Sequence, residues 1–275
     1  MQFVFIYLSD NGKILAMTKK IKYLLMLLLG ANLSMTAQFG FSHEVGAFVG
    51  GVAFQSDFGV RHDFETNAGN TGFGVGLVHY MNFAYRAECN CYMPETYFND
   101  HFKVRSELSY NSTKLEHFGE FADKETIYGE QLRAMKGEAK VTDIGMQLEY
   151  FPLSIREFTA TDGAWAPFIA LGAHYSFFDN NTYSELGPLG TPITTYPRYL
   201  PDGYSSEGGS TWSVVSSVGT RYKLTELSDL FLELRWQYYF SDWVDGLNKN
   251  PDLWKENKAN DWNFWFHVGY IYYLD

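Results

Sequence analysis

From Phe102 to Asn111 the chain alternates without interruption. Phe102, Val104, Leu108 and Tyr110 share one parity with Ser106, and Lys103, Arg105, Glu107, Ser109 and Asn111 share the other. In an extended chain successive side chains point to opposite faces. This stretch therefore carries one apolar, aromatic face and one face bearing both signs of charge. Alternating segments recur near 41–50, 72–83, 102–112, 140–151, 166–177, 212–224, 230–240 and 262–274. Each approaches the roughly 9–11 residues that a tilted membrane-spanning strand requires.

The two faces keep their character from segment to segment. One parity of the seventh reads Leu230, Leu232, Leu234, Trp236, Tyr238 and Phe240, against Glu233, Arg235 and Gln237. The fourth sets Ile144, Met146, Leu148 and Tyr150 against Asp143, Gln147 and Glu149, and the sixth sets Trp212, Val214, Val218 and Tyr222 against Ser213, Ser217, Arg221 and Lys223. In the eighth, Trp262, Phe264, Phe266, Val268, Tyr270 and Tyr272 oppose Asn263, His267 and Gly269. The charged face thus collects Glu44, Glu107, Asp143, Glu149 and Glu233 together with Lys103, Arg105, Arg221, Lys223 and Arg235.

The connections are long after the first, third, fifth and seventh segments and tight after the sixth, at 225–229, while those after the second and fourth exceed a tight turn, a mild departure from the pattern. Membrane barrels have long outer loops and short periplasmic turns. The expectation is an all-β fold, a transmembrane antiparallel β-barrel of about eight strands. Its apolar face meets lipid, with Trp212, Tyr222, Trp236, Trp262 and Tyr272 at the lipid–water boundaries as aromatic girdles. Its charged face fills a narrow interior with no aqueous channel, where opposite charges must pair to offset desolvation. Residues near Asp202 then face outside, residues near Glu226 face the periplasm, and both termini are periplasmic. Lys249 reads as an exposed loop residue. The competing architecture, an extracellular sandwich, would bury its apolar face against a second sheet and would leave the strand-end aromatics without a purpose.

Composition agrees. The 275 residues include 20 Tyr, 23 Phe, 7 Trp and 25 Gly, yet mean hydropathy is only −0.23, which excludes a helical membrane bundle. The net charge of −11 opposes nucleic acid as a partner, since phosphate binding needs a basic face. At the N-terminus Lys19, Lys20 and Lys22 precede an apolar run and the small residues ending at Ala37. This is the form of a secretory signal peptide over 1–37, too short in its apolar part to span a bilayer as a helix. Met17 begins it in the usual way, so 1–16 reads as an over-extended start. The barrel domain is then 38–275, in the outer membrane of a diderm bacterium.

Candidate chemistry is sparse. Gly72, Gly74 and Gly76 do not match a dinucleotide fingerprint, whose third Gly comes three residues after the second and opens a helix. Glycines at alternate strand positions instead make room in a crowded barrel. Cys89 and Cys91 form a C-x-C that reads as a local disulfide or two inert thiols, because two thiolates do not complete a zinc site. The seven His are scattered, and no G-x-S-x-G nucleophile elbow occurs. Glu107, Glu149 and Glu233 are better explained as partners of Arg105, Arg221 and Arg235 than as an acid–base pair. The expectation is a protein without catalytic residues, metal or cofactor, so that function rests on the loops. The longest of these, from about Asp179 to Thr211, holds Pro188, Pro192, Pro197 and Pro201 among several aromatics.

Two stretches carry a family resemblance. "ELGPLGT" (185–191) supplies Glu185, Leu186, Pro188, Leu189, Gly190 and Thr191, and 219–247 supplies Gly219, Tyr222, Leu224, Glu233, Asp242 and Asp245. Together they resemble the PorG-like outer-membrane proteins of the type IX secretion system. "FQSDFG" at 54–59 is similar to that family's first-loop pattern, with Ser56 in place of Gly. Trp243 for the usual Tyr, Gly246 after Asp245, and the C-x-C depart from it. The resemblance implies an outer-membrane anchor that contacts periplasmic secretion-ring subunits or lipoproteins. A narrow porin-type barrel for small apolar solutes and a cell-surface adhesin-type barrel are the alternatives.

Overall fold

The computed structural model describes residues 42–59, 63–67, 69–83, 96–249 and 260–274. The signal segment 1–37 and the Cys89–Cys91 pair lie outside them. Every alternating segment forms a strand: β1 (Ser42–Gln55), β2 (Thr71–Asn82), β3 (Phe102–Glu116), β4 (Met135–Tyr150), β5 (Trp165–Ser184), β6 (Gly209–Thr225), β7 (Ser228–Tyr239) and β8 (Trp262–Tyr273). Each pairs antiparallel with its sequence neighbours in a closed barrel, β1-β2-β3-β4-β5-β6-β7-β8. Closure is between β1 and β8, with Glu44 opposite Tyr273 and Gln55 opposite Trp262. A closed ladder leaves no edge strand and no unpaired backbone facing lipid.

Among the described residues four short α-helices sit in the connections: α1 (Phe64–Asn67), α2 (Tyr97–His101), α3 (Ile127–Ala134) and α4 (Ile155–Thr159). Local chemistry starts three of them. Thr96 Oγ1 accepts from Asn99 N–H, Thr126 Oγ1 from Gly129 N–H and Ser154 Oγ from Glu157 N–H, each satisfying an orphan donor of the first turn. The tight β6–β7 turn is fastened by a 2.7 Å contact between the hydroxyls of Thr225 and Ser228. No helix among the described residues is long and apolar enough to cross a membrane.

The barrel is apolar outside and polar inside, the inverse of a soluble domain and the arrangement of a membrane-spanning one. Leu108, Ile144, Ile169, Leu232 and Phe266 are exposed on the outer wall, while Lys103, Arg105, Glu149, Arg221 and Arg235 are buried within. The opening stretch therefore turns its charges inward and its aromatics to lipid. Gly74 and Gly76 make space: a Cβ on either would strike the inward rings of Trp265 and Phe48, respectively.

Two expectations about extent are corrected. β1 runs on to Gln55 and β5 to Ser184, beyond 41–50 and 166–177, so the longest loop is 185–208 and not 179–211. The reason is that hydropathy marks only the lipid belt, whereas backbone pairing continues past it. Outward positions on β3–β5 change from Tyr110 and Phe177 to Lys114, Lys136, Lys140 and Asp179, so this part of the wall stands clear of the apolar belt.

Candidate functional site: a braced lumen and a capped mouth

Five cations and five anions fill the half of the lumen nearest the tight turn. Arg105 lies 2.6 Å from Glu107, 3.1 Å from Glu149 and 2.5 Å from Glu233. Arg235 reaches Glu107 at 2.6 Å and Glu233 at 3.3 Å. Arg221 binds Glu44 at 2.7 Å and Glu149 at 2.9 Å, with Asp229 3.7 Å away. Lys103 caps Glu44 at 2.5 Å, and Lys223 stands 3.5 Å from Asp229. Buried ions in such a site are tolerated because each has opposite charge and hydrogen bonds at hand. The forked guanidinium lets one Arg serve carboxylates on several strands at once.

Asp143 departs from this scheme. It is buried in the lumen, but Ser176 Oγ and Gln237 Nε2 donate to it, so its hydrogen bonds come from neutral groups. It sits on β4 beyond the Arg level, where the interior changes from ionic to neutral polar.

The alternation did not single out the inward aromatics. Phe48, Tyr80, Phe231 and Trp265 form an apolar inner wall on β1, β2, β7 and β8. The Arg221 guanidinium lies 4.2 Å from the Tyr80 ring centroid, and that of Arg235 lies 5.4 Å from Phe48 and 5.6 Å from Trp265. The aromatic faces thus stack on the cations that the carboxylates hold, a favourable arrangement away from water. Trp265 has the parity of Asn263 and His267, and that parity was the available signal.

The five expected girdle residues all project outward. Trp212, Trp236 and Trp262 lie toward the long-loop end, and Tyr222 and Tyr272 toward the tight-turn end. Neighbouring rings extend both rows: Tyr175 packs 5.1 Å from Trp212, and Trp165 packs 5.0 Å from Tyr222.

At the long-loop mouth a second core closes the barrel. Tyr199 from the β5–β6 loop and Val244 and Leu247 from the β7–β8 loop pack with the strand residues Phe54, Leu115, Met135 and Tyr239. Polar contacts lock this cap. Asp57 N–H donates to Asp245 Oδ2 at 2.8 Å, the Tyr199 hydroxyl donates to the Asp57 carbonyl at 2.7 Å, and Lys249 pairs with Asp57 at 2.8 Å. Lys249 is only 7% exposed, which corrects its reading as a surface loop residue: the loop folds back into the mouth, and the ammonium is needed there against Asp57. His117, just past β3, packs against Phe58 with the rings tilted by 33° and centroids 4.9 Å apart. Burial, together with the nearby Lys249 charge, holds its imidazole at about 3, while a hydrogen bond with the Phe58 backbone acts the other way. At the opposite end Phe151, Ile155, Phe158 and Phe168 form a smaller apolar cluster around α4.

No protein-family model matches the chain, and no curated protein sequence matches it. Solved structures with similar folds include a major outer membrane protein from Thermus thermophilus, at 12% identity and TM-score 0.44, covering 86% of this chain and 100% of that one. Ail, the attachment invasion locus protein of Yersinia pestis, is similar at 12% identity and TM-score 0.42, with 86% and 100% covered. The outer membrane enzyme PagL is similar at 12% identity and TM-score 0.33, with 83% and 98% covered. At these values the likeness assigns no activity, ligand or partner; the closed ladder of eight strands carries the fold.

Proposed function

We propose that this chain is a non-catalytic outer-membrane protein, a sealed β-barrel anchor serving as a structural or assembly component of a type IX-like secretion apparatus. The observation that carries the reading is that all three segments of family resemblance meet in one cap. Residues 54–59 supply Phe54, Asp57 and Phe58; residues 185–191 supply Leu189, packed on the same core; and the end of the third supplies Val244, Asp245 and Leu247. Residues far apart in the chain are thereby spent on closing the mouth and bracing it, a use suited to an anchor rather than a conduit. The filled lumen argues in the same direction against a porin for apolar solutes, since such a solute would have to displace paired charges.

A surface-contact role is the second reading. It is favoured by Phe121, Ile127, Tyr128 and Ile193, which are all exposed at the capped end, where an apolar patch marks a contact site.

Crosslinking in whole cells followed by purification of the tagged chain tests the first reading. Periplasmic lipoprotein or ring subunits should be recovered with it, and the purified barrel should be electrically silent in a planar bilayer. Recovery of the chain alone, or steady ion conductance, would remove the anchor role. Recovery of extracellular partners only would transfer it to the second reading.

A further inference from the structure

Beside the cap, the end of β5, the β5–β6 loop and the β7–β8 loop line an open cleft of about 630 Å3. This is within the range of small-molecule sites, roughly 300–1,000 Å3. It lies beyond the apolar belt, on the long-loop side, and is independent of the anchor role. We propose that it is a carbohydrate-binding subsite, taking a short neutral oligosaccharide.

The chemistry of the walls selects that class. Three aromatic side chains, Tyr183, Tyr204 and Trp243, line the cleft, and flat rings with a polar handle suit the apolar C–H faces of a pyranose. Between them are hydroxyls with spare donors. Ser184 Oγ accepts from Leu186 N–H and Ser205 Oγ accepts from Glu207 N–H, leaving the O–H of each to donate. Thr182 lines the same cleft, and its buried Oγ1, packed beside Gly246, finds no hydrogen-bond partner among the described residues; a buried hydroxyl without a partner is costly. Glu207 adds an acceptor. A ligand that must both donate and accept several hydrogen bonds while offering apolar faces is a sugar. Among the described lining residues the one formal charge is the Glu207 carboxylate, with no Lys or Arg, which disfavours an anionic glycan against a neutral one.

The cleft is also held in shape before any ligand arrives. Ser205 N–H donates to the Gly246 carbonyl at 2.8 Å, and Tyr204 bridges Leu247. Ser206 Oγ both accepts from Thr182 N–H, at 3.1 Å, and donates to the Thr182 carbonyl, at 3.2 Å. Gly190, at φ +101°, passes so close to Tyr204 that a Cβ there would meet the phenol oxygen at 2.5 Å. Rigid walls reduce the ordering cost of binding. The ELGPLGT segment thus has a local purpose: Gly187, Pro188 and Leu189 form one wall of the cleft.

The test uses the full mature chain in a polyoxyethylene detergent, because maltoside and glucoside head groups would compete. Chitotriose and maltotriose are titrated by calorimetry, with a hyaluronan tetrasaccharide as the anionic comparison. At least one of the two neutral sugars should saturate with a Kd of about 1 mM or tighter. Tyr183→Ala and Glu207→Ala change exposed side chains, so both variants should keep the wild-type melting temperature while each weakens binding about tenfold. Trp243→Ala should abolish the signal. No saturation by either neutral sugar, unchanged affinity in Tyr183→Ala and Glu207→Ala, or tighter binding of the anionic sugar would each overturn the proposal.

Discussion

Arg105 on β3 and Glu233 on β7 are 128 residues apart in the chain and 2.5 Å apart in the lumen. These strands are not neighbours in the ladder, so the pair crosses the barrel. Arg235 returns the connection from β7 to Glu107 on β3 at 2.6 Å, and Arg221 on β6 reaches Glu44 on β1. The side chains brace walls that backbone hydrogen bonds join only at their edges.

Removal of one brace leaves its partners buried and uncompensated. Arg235→Ala is expected to destabilise the folded barrel by about 3–5 kcal/mol, the usual cost of breaking a buried pair. Lys114→Ala, on an exposed outward position of β3, should change stability by less than about 0.5 kcal/mol. Denaturant unfolding in detergent compares them, and equal midpoints would mean that Arg235 is not carrying load in a packed lumen. Lys249→Ala, which removes the ammonium 2.8 Å from the buried Asp57 carboxylate, should also lower stability, and by more than Lys114→Ala.

The lipid face gives a depth-dependent outcome. Leu234 lies mid-strand and outward, 51% exposed. An Arg at such a midplane position costs about 2–4 kcal/mol in a membrane barrel and about 0–1 near an interface. Leu234→Arg should therefore impair insertion into vesicles strongly, and Tyr222→Arg, near the tight turn, only slightly. Recovery of residues 38–275 as a folded monomer without detergent would contradict a membrane-spanning barrel altogether.

Orientation follows from the loops. In a background lacking Cys89 and Cys91, Cys placed at Asp202 should react with an impermeant maleimide on intact cells, and Cys placed at Glu226 should not. Labelling at 226 alone would invert the topology.

The cap should loosen on acidification. An unfolded chain protonates His117 near its ordinary value of 6.5, whereas the folded cap holds it neutral to about 3. Between those values the unfolded state binds more protons, so this contribution to stability is complete above pH 6.5 and is lost as pH falls toward 3. Replacing the ring by His117→Phe should flatten the stability profile in that window by about 1.4 kcal/mol per pH unit, the slope for one proton. An identical slope in the variant would assign the acid sensitivity to other groups.

Much of the barrel was legible in the chain because strand geometry is local. A period of two assigns each side chain a face whatever lies across from it, so the outward set around Leu232 and Leu234 and the inward set around Arg105 and Arg235 follow from parity alone. Tertiary structure decided what parity cannot. Whether Arg105 meets Glu233 or a nearer carboxylate depends on barrel closure and strand stagger. Asp143 takes its hydrogen bonds, both at Oδ1, from neutral groups because of its height in the lumen, which alternation does not encode. Trp265 and Phe48 share the inward parity with the charges, and only the three-dimensional packing reveals that they stack on Arg235. The cap and its cleft were the least legible, since Asp57, Lys249 and Trp243 lie in loops without period. Their meeting is set by where the strands on either side deliver the chain.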